Sequence, residues 1–181
     1  VLEKFTLEGN GLPLYLKLAF EETCEWKSYT DGAETRLPPD TRGIIKNLME
    51  RLSLPSNHGG LLVSRSLGYI AASKHGLGED EILDILSRDG DVMEDFISRA
   101  FHKPPENRLP VILWSRLYFD LRPYLKENLV EDTAAISYYH NQFQKAVKEI
   151  YMDGDAREEH HQALSSYFES QVNQGDEKKR K

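Results

Sequence analysis

The sequence is poor in cysteine, in long apolar runs and in basic charge. Its single cysteine, Cys24, excludes an internal disulfide framework and a cysteine-based zinc site, and is typical of a reducing compartment. No apolar run approaches the roughly 18–20 residues of a membrane span, and the N-terminus lacks the features of a signal peptide. We therefore expect a cytoplasmic protein with no membrane partner. The chain begins with Val1 rather than Met, so we expect a piece of a longer protein.

Acidic residues outnumber basic ones by 30 to 23, which gives a net charge of −7 over 181 residues. The last seven residues, 175–181, carry four basic and two acidic side chains, and without them the charge is −9. Nucleic-acid binding draws much of its affinity from the neutralisation of phosphates. An acidic body is therefore a poor candidate for it. We expect the basic tail to be a frayed, solvated end, with a targeting or contact segment as the alternative.

Motifs of nucleotide hydrolysis and of other catalysis are also missing. The sequence has no G-x-x-x-x-G-K-[ST] phosphate loop, no G-x-G-x-x-G after a strand and no G-x-S-x-G nucleophile elbow. His160 and His161 are not spaced as zinc ligands, because adjacent residues on a helix point about 100° apart. We expect neither a bound metal nor catalysis by this chain alone.

The spacing of apolar residues predicts a mainly α chain in three parts. Residues 1–56 form a helical bundle, whose two helices have the inward residues Leu12, Leu16, Ala19, Phe20 and Cys24, and Ile44, Ile45, Leu48, Met49 and Leu52. Residues 57–152 contain three helices, two strands over about 124–129 and 133–139, and a last helix, which is the order of a winged helix. Within this part, Asp91 and Glu94 predict a capping box. Residues 153–181 start a further helix, the connector, and end in the disordered basic tail.

The winged-helix order suggests DNA binding, but the would-be recognition helix does not support it. Such a helix presents several Arg, Lys, Asn or Gln side chains to base edges. Residues 110–121 offer one base, Arg116, and one acid, Asp120, among large apolar residues. A helix of this composition is suited to burial against protein, so a winged-helix module that binds protein is a stronger alternative than one that binds DNA.

One histidine lies where a polar ring can meet a phosphate. His140 stands between the second predicted strand and the helix that follows it, beside the free backbone N–H groups of a helix N-terminus. From position alone, a histidine that caps this helix or packs beneath the neighbouring tyrosines is the simpler interpretation.

The order of several motifs resembles the STAND-class signalling ATPases, the NACHT and NB-ARC families. Residues 11–17, GLPLYLK, resemble the GLPL-type segment that follows the nucleotide-binding core of these proteins. Further along, residues 140–143, HNQF, resemble the histidine motif that ends their winged helix. Residues 73–87 and 109–117 resemble the winged helix of NACHT proteins that carry WD40 or TPR arrays, and residues 161–168 resemble the first helix beyond it.

The resemblance implies a regulatory role in which the nucleotide state is coupled to autoinhibition and oligomerisation. In that family the Pro of the GLPL segment packs near the adenine, and the winged-helix histidine contacts the β-phosphate of ADP. This implies that residues 1–56 are a helical lid domain, that Gly11, Leu12 and Pro13 form its adenine side, and that His140 senses the phosphate. ADP or ATP would be held only together with a nucleotide-binding core. The implied partners are that core, a downstream repeat array and, on activation, further copies of the protein.

Two departures separate the chain from the family pattern. The Walker A and Walker B segments of the core are missing from this sequence, and the MHD triplet of NB-ARC proteins is replaced by Tyr139-His140-Asn141. A winged-helix interaction module without nucleotide binding is therefore the alternative. It predicts that the GLPL segment and His140 lie far apart, each with a local role in a turn or cap.

Overall fold

The computed structural model describes residues 13–27, 36–100, 108–130 and 133–179. Within these ranges the protein is mainly α, with eight α-helices, one 3-10 turn and a two-stranded antiparallel hairpin, so the predicted fold class is confirmed. The helices are α1 (Pro13–Cys24), α2 (Thr41–Leu52), α3 (Gly60–Ala72), α4 (Glu79–Arg88), α5 (Gly90–Arg99), α6 (Val111–Leu121), α7 (Asn141–Tyr151) and α8 (Asp155–Lys179). The 3-10 turn (Arg122–Tyr124) leads into strands β1 (Leu125–Val130) and β2 (Thr133–Tyr138).

Helices α1 and α2 pack together, but only α2 buries the face predicted from its sequence. The five predicted residues of α2 are all buried, and its N-cap Asp40 accepts a hydrogen bond from the Gly43 N–H at 2.7 Å. In α1 the inward positions proposed for Phe20 and Cys24 were wrong, since Phe20 is 63% exposed and Cys24 is exposed. Ala19 is buried as predicted, together with Tyr15 and Leu18, which the prediction did not include.

Helix α3 lies at the centre of the winged helix and is buried over most of its circumference, as its apolar sequence predicted. The hairpin is attached to it by the Tyr138 hydroxyl, which donates to the Leu67 carbonyl at 2.6 Å. Leu77, between α3 and α4, exchanges two backbone hydrogen bonds with Ile136 of β2, at 3.1 and 2.8 Å. The preceding Gly76 has φ 93°, and a Cβ there would lie 2.5 Å from the Ile136 carbonyl oxygen, so this close approach requires glycine.

The hairpin and helix α7 share an aromatic core. Strands β1 and β2 pair in register from Leu125 with Tyr138 to Val130 with Thr133, within one residue of the predicted strands. Phe143 of α7 stacks on Tyr124 at 5.1 Å between ring centroids and lies 5.6 Å from the ring of Tyr138. This packing places the start of α7, where His140 lies, directly after the second strand.

Helices α5 and α8 differ from the prediction at their ends. The N-cap of α5 is Asp89, which accepts from the Val92 N–H at 3.2 Å, whereas Asp91 lies in the first turn, so the predicted capping box was wrong. Helix α8 continues to Lys179, where a disordered tail was expected. The predicted domain boundaries fall between α2 and α3 and between α7 and α8, yet one cluster of buried apolar residues extends from α1 to α8.

Candidate functional site

Two of the four residues implied to contact a nucleotide are described. Pro13 is exposed and is the first residue of α1, where its missing N–H costs no helical hydrogen bond. His140 is the half-buried N-cap of α7. Gly11 and Leu12 lie outside the described residues.

His140 caps α7 with one ring nitrogen and leaves the other free to donate. The Gln142 N–H donates to His140 Nδ1 at 3.2 Å, and the His140 backbone is extended (φ −133°, ψ 135°) as at other N-caps. A ring nitrogen that accepts a hydrogen bond carries no proton, so the neutral ring has its proton on Nε2. The simpler interpretation from sequence, a helix cap, is thus confirmed. The cap hydrogen bond uses only one of the two ring nitrogens.

Helix α1 reaches the residue next to His140. Lys17, one helical turn after Pro13, places its Nζ 4.3 Å from the centroid of the Tyr139 ring. The Tyr139 N–H donates to the Tyr124 carbonyl at 3.0 Å, which continues the hairpin pairing as far as His140. The helix of the GLPL segment and the histidine segment therefore meet. No pattern in the sequence indicated this contact.

A groove of about 480 Å³ lies beside this contact, between α1 and the corner that follows α6. Charges of both signs line it: the basic Lys17, Arg51 and Arg122 and the acidic Glu21, Glu25 and Asp120. Arg51 is already paired with Glu22 at 3.1 Å. Because its charges are mixed, the groove by itself is not an anion site.

Helix α6, the counterpart of a recognition helix, leaves an apolar face open. Its buried residues are Trp114, Leu117 and Leu121. Val111, Ile112 and Phe119, which we call the α6 apolar face, are 52%, 62% and 73% exposed. Such a face is suited to contact with protein, whereas base edges are recognised by hydrogen-bonding side chains.

A charged cluster that sequence reasoning missed joins α3, α5 and α8. Arg65 forms ion pairs with Asp89 at 3.3 Å, Asp91 at 3.1 Å and Glu159 at 2.9 Å, and the Tyr69 hydroxyl donates to Asp89 at 2.5 Å. Burial lowers the pKa of Arg65, but its bond to Glu159 and the neighbouring carboxylates raise that pKa above its ordinary value. Burial and the hydrogen bond to Asp89 raise the pKa of Tyr69. The cluster fixes the first turn of α5 and the start of α8 against α3.

His160 packs α8 directly against α3. Its side chain is buried, its Nδ1–H donates to the Ala156 carbonyl at 2.5 Å, and its ring meets that of Tyr69 edge-on at 5.0 Å. The Nε2 atom has no hydrogen-bond partner in the described part of the chain. A Cβ at Gly68 would lie 2.1 Å from Nε2, so the ring fits only against glycine. Burial lowers the His160 pKa and keeps the ring neutral.

Two further features of the described ranges bear on function. They contain no cluster of three or more His, Cys, Asp or Glu residues arranged to hold a metal ion. None of their helices combines the length and the apolar composition needed to cross a membrane.

Comparison with known proteins identifies relatives of the chain. A family model described as "NWD1-like, winged helix-turn-helix domain" matches residues 35–157. The chain is 36% identical over 170 residues to human NACHT domain- and WD repeat-containing protein 1, a match that covers 93% of the chain and 10% of that protein. It is 32% identical over 158 residues to mouse NACHT and WD repeat domain-containing protein 2, covering 87% of the chain and 9% of the relative. The chain thus spans about a tenth of the length of these relatives. No solved structure matches it significantly.

Proposed function

The chain belongs to the NWD1-like winged helix-turn-helix domain family, and from that premise we propose that it regulates a NACHT-type ATPase of which it forms a part. In this proposal the chain closes over ADP or ATP bound to a nucleotide-binding core. The nucleotide state then decides between an autoinhibited form and an oligomer. The chain does not hydrolyse ATP by itself, and it acts in the cytoplasm.

The observation that carries this proposal is the cap hydrogen bond on His140 Nδ1, which leaves Nε2 as the ring nitrogen that can donate. This Nε2 has no hydrogen-bond partner in the described part of the chain. The cap hydrogen bond from Gln142 orients the ring at the N-terminus of α7, where backbone N–H groups and the helix dipole favour an anion. A phosphate that meets this ring in only one domain arrangement stabilises that arrangement alone. One charge-assisted hydrogen bond, about 1.5–3 kcal/mol, shifts a balanced equilibrium by about ten- to a hundredfold.

The contact between Lys17 and Tyr139 supports the adenine side of the proposal. It brings the helix that begins at Pro13 against the residue before His140. Lys17, one helical turn after Pro13, is therefore in contact with the residue next to His140. A module without nucleotide binding predicts that the GLPL segment and His140 lie far apart.

The test separates the helix cap from the phosphate contact. The longer protein, with this chain and its nucleotide-binding core, is purified without added nucleotide and denatured, and the released ADP is quantified. His140→Ser keeps a good N-cap oxygen but is too short to reach the Nε2 position, whereas His140→Ala removes both functions. We expect both variants to lose ADP, and His140→Ala alone to lose about 1 kcal/mol of stability. Stoichiometric ADP retained by His140→Ser would refute the phosphate contact.

A second function, protein binding without nucleotide, is favoured by the α6 apolar face. Its three side chains are more than half exposed, although Trp114, Leu117 and Leu121 of the same helix are buried in the core. This function predicts that the longer protein purifies without ADP and has no phosphate loop upstream of Val1. DNA binding is less well supported, because it requires salt-sensitive association of an acidic body with duplex.

A further inference from the structure

The Lys17 ammonium lies over the Tyr139 ring, and within the described ranges it forms no ion pair with a carboxylate. The distance of 4.3 Å to the ring centroid is well within the range of about 6 Å for cation–π attraction. Glu21 follows Lys17 by one helical turn, yet the structure shows no ion pair between these two described residues. Lysine before glutamate is the weaker order for an ion pair at this spacing. The Lys17 ammonium therefore contacts the residue that precedes His140.

Tyr139 is fixed through its backbone, and its ring is contacted from α1 by Lys17. Its N–H is bonded to the Tyr124 carbonyl, and its side chain is 58% exposed. The next residue, His140, is in turn fixed by the Gln142 N–H on its Nδ1. A cation on the Tyr139 ring therefore restrains the side chain that precedes the imidazole in the chain, and it does so from the helix that begins at Pro13.

We propose that Lys17 is a positioning residue for His140, because it holds the Tyr139–His140 segment against α1 in the arrangement that retains ADP. This role rests on the proposed function, since it concerns the same nucleotide contact. Lys17 acts through the Tyr139 ring and does not itself touch the phosphate. An exposed cation–π contact corresponds to about a two- to fivefold change in a binding constant.

The test measures release of the fluorescent analogue mant-ADP from the longer protein with its nucleotide-binding core, after addition of excess ADP. Lys17→Met removes the charge but keeps the apolar stem, and Lys17→Arg keeps a cation that binds aromatic rings. Tyr139→Phe keeps the ring. Lys145→Met is the matched control, since Lys145 is an exposed lysine on α7.

We expect Lys17→Met to release mant-ADP about two- to fivefold faster than wild type, and Lys17→Arg, Tyr139→Phe and Lys145→Met to release it at the wild-type rate. Combining Lys17→Met with Tyr139→Leu should add nothing to Tyr139→Leu alone, because both changes remove one contact. The unfolding midpoint of Lys17→Met should equal that of Lys145→Met.

Two results overturn the proposal and are distinguishable from each other. A wild-type release rate in Lys17→Met, or an equal acceleration in Lys145→Met, refutes the role of Lys17 and leaves the proposed function intact. A wild-type protein that binds no mant-ADP refutes the proposed function and the role of Lys17 together.

Discussion

A methyl group added at Gly68 tests the packing of α8 on α3, because two opposing effects meet there. The alanine Cβ would lie 2.1 Å from His160 Nε2 and 2.5 Å from Cδ2. The ring must move by about 1.4 Å to reach ordinary van der Waals contact, but its bond to Ala156 and its contact with Tyr69 hold it in place. Overpacking costs about 1–3 kcal/mol, and a 2.1 Å approach to a ring that is held in place corresponds to the upper part of this range, about 2–3 kcal/mol. Alanine gains about 1 kcal/mol over glycine in a helix interior. We expect Gly68→Ala to lower the free energy of unfolding by about 1–2 kcal/mol.

The sign of this effect should reverse when the imidazole is removed. In a His160→Ala background the space beside position 68 is open, so Gly68→Ala should raise the free energy of unfolding by about 1 kcal/mol through helix propensity alone. The double-mutant cycle then gives a coupling of about 2–3 kcal/mol between the two positions. Urea unfolding of the four proteins, followed by circular dichroism, measures it.

Gly90→Ala is the control for this cycle, because a Cβ at that position in α5 meets nothing within 4 Å. It should not destabilise either background. If Gly68→Ala stabilises the wild type as much as it stabilises His160→Ala, the two helices do not meet at Gly68. Equal destabilisation in both backgrounds would assign the effect to the backbone at position 68 and not to the ring.

Two further predictions concern the same part of the molecule. Burial lowers the pKa of His160 in the folded protein. The neutral ring therefore contributes its full stability above about pH 6.5, and this contribution is lost as the pH falls from there towards the folded pKa. In urea titrations, the free energy of unfolding should decrease less between pH 7.5 and pH 5 for His160→Leu than for wild type. Arg65→Met should lower the free energy of unfolding, measured by calorimetry, by about 2–3 kcal/mol, since the Asp89 carboxylate, 8% exposed, loses its cation. Arg42→Met breaks a largely exposed pair with Glu149 and, measured in the same way, should cost less than about 1 kcal/mol.

The sequence predicted burial correctly where a helix has one apolar face. The five residues of α2 at helical spacing are all buried, because polar residues occupy the other side of that helix. In α1 apolar residues surround almost the whole helix, so spacing does not select a face. The buried face contains Tyr15, whose hydroxyl donates to the Pro38 carbonyl at 2.9 Å. That hydrogen bond is a tertiary contact, and the spacing of apolar residues within α1 does not predict it.

The candidate site was predicted in position but not in chemistry. A histidine between a strand and a helix indicated the N-terminus of α7, but the assignment of Nδ1 to the cap and of the proton to Nε2 needs the atomic contacts. The contacts of Lys17 with Tyr139 and of Gly68 with His160 join residues that are distant in the chain. The regular spacing of residues along a helix does not indicate which residues of other elements they contact.

The bridge between Leu77 and Ile136 imposes an order on the folding of the chain during its synthesis. Leu77 is synthesised long before its strand partner, and non-local closures of this kind are slow steps in folding. Until β2 has emerged, Leu77 lacks its bridge and α3 lacks the Tyr138 hydrogen bond, so the apolar side of α3 that faces the hairpin stays open to chaperones and to other nascent chains. Once formed, the bridge covers the outer edge of β2 at Ile136, so the same contact that delays folding then protects the finished hairpin from pairing with a neighbour.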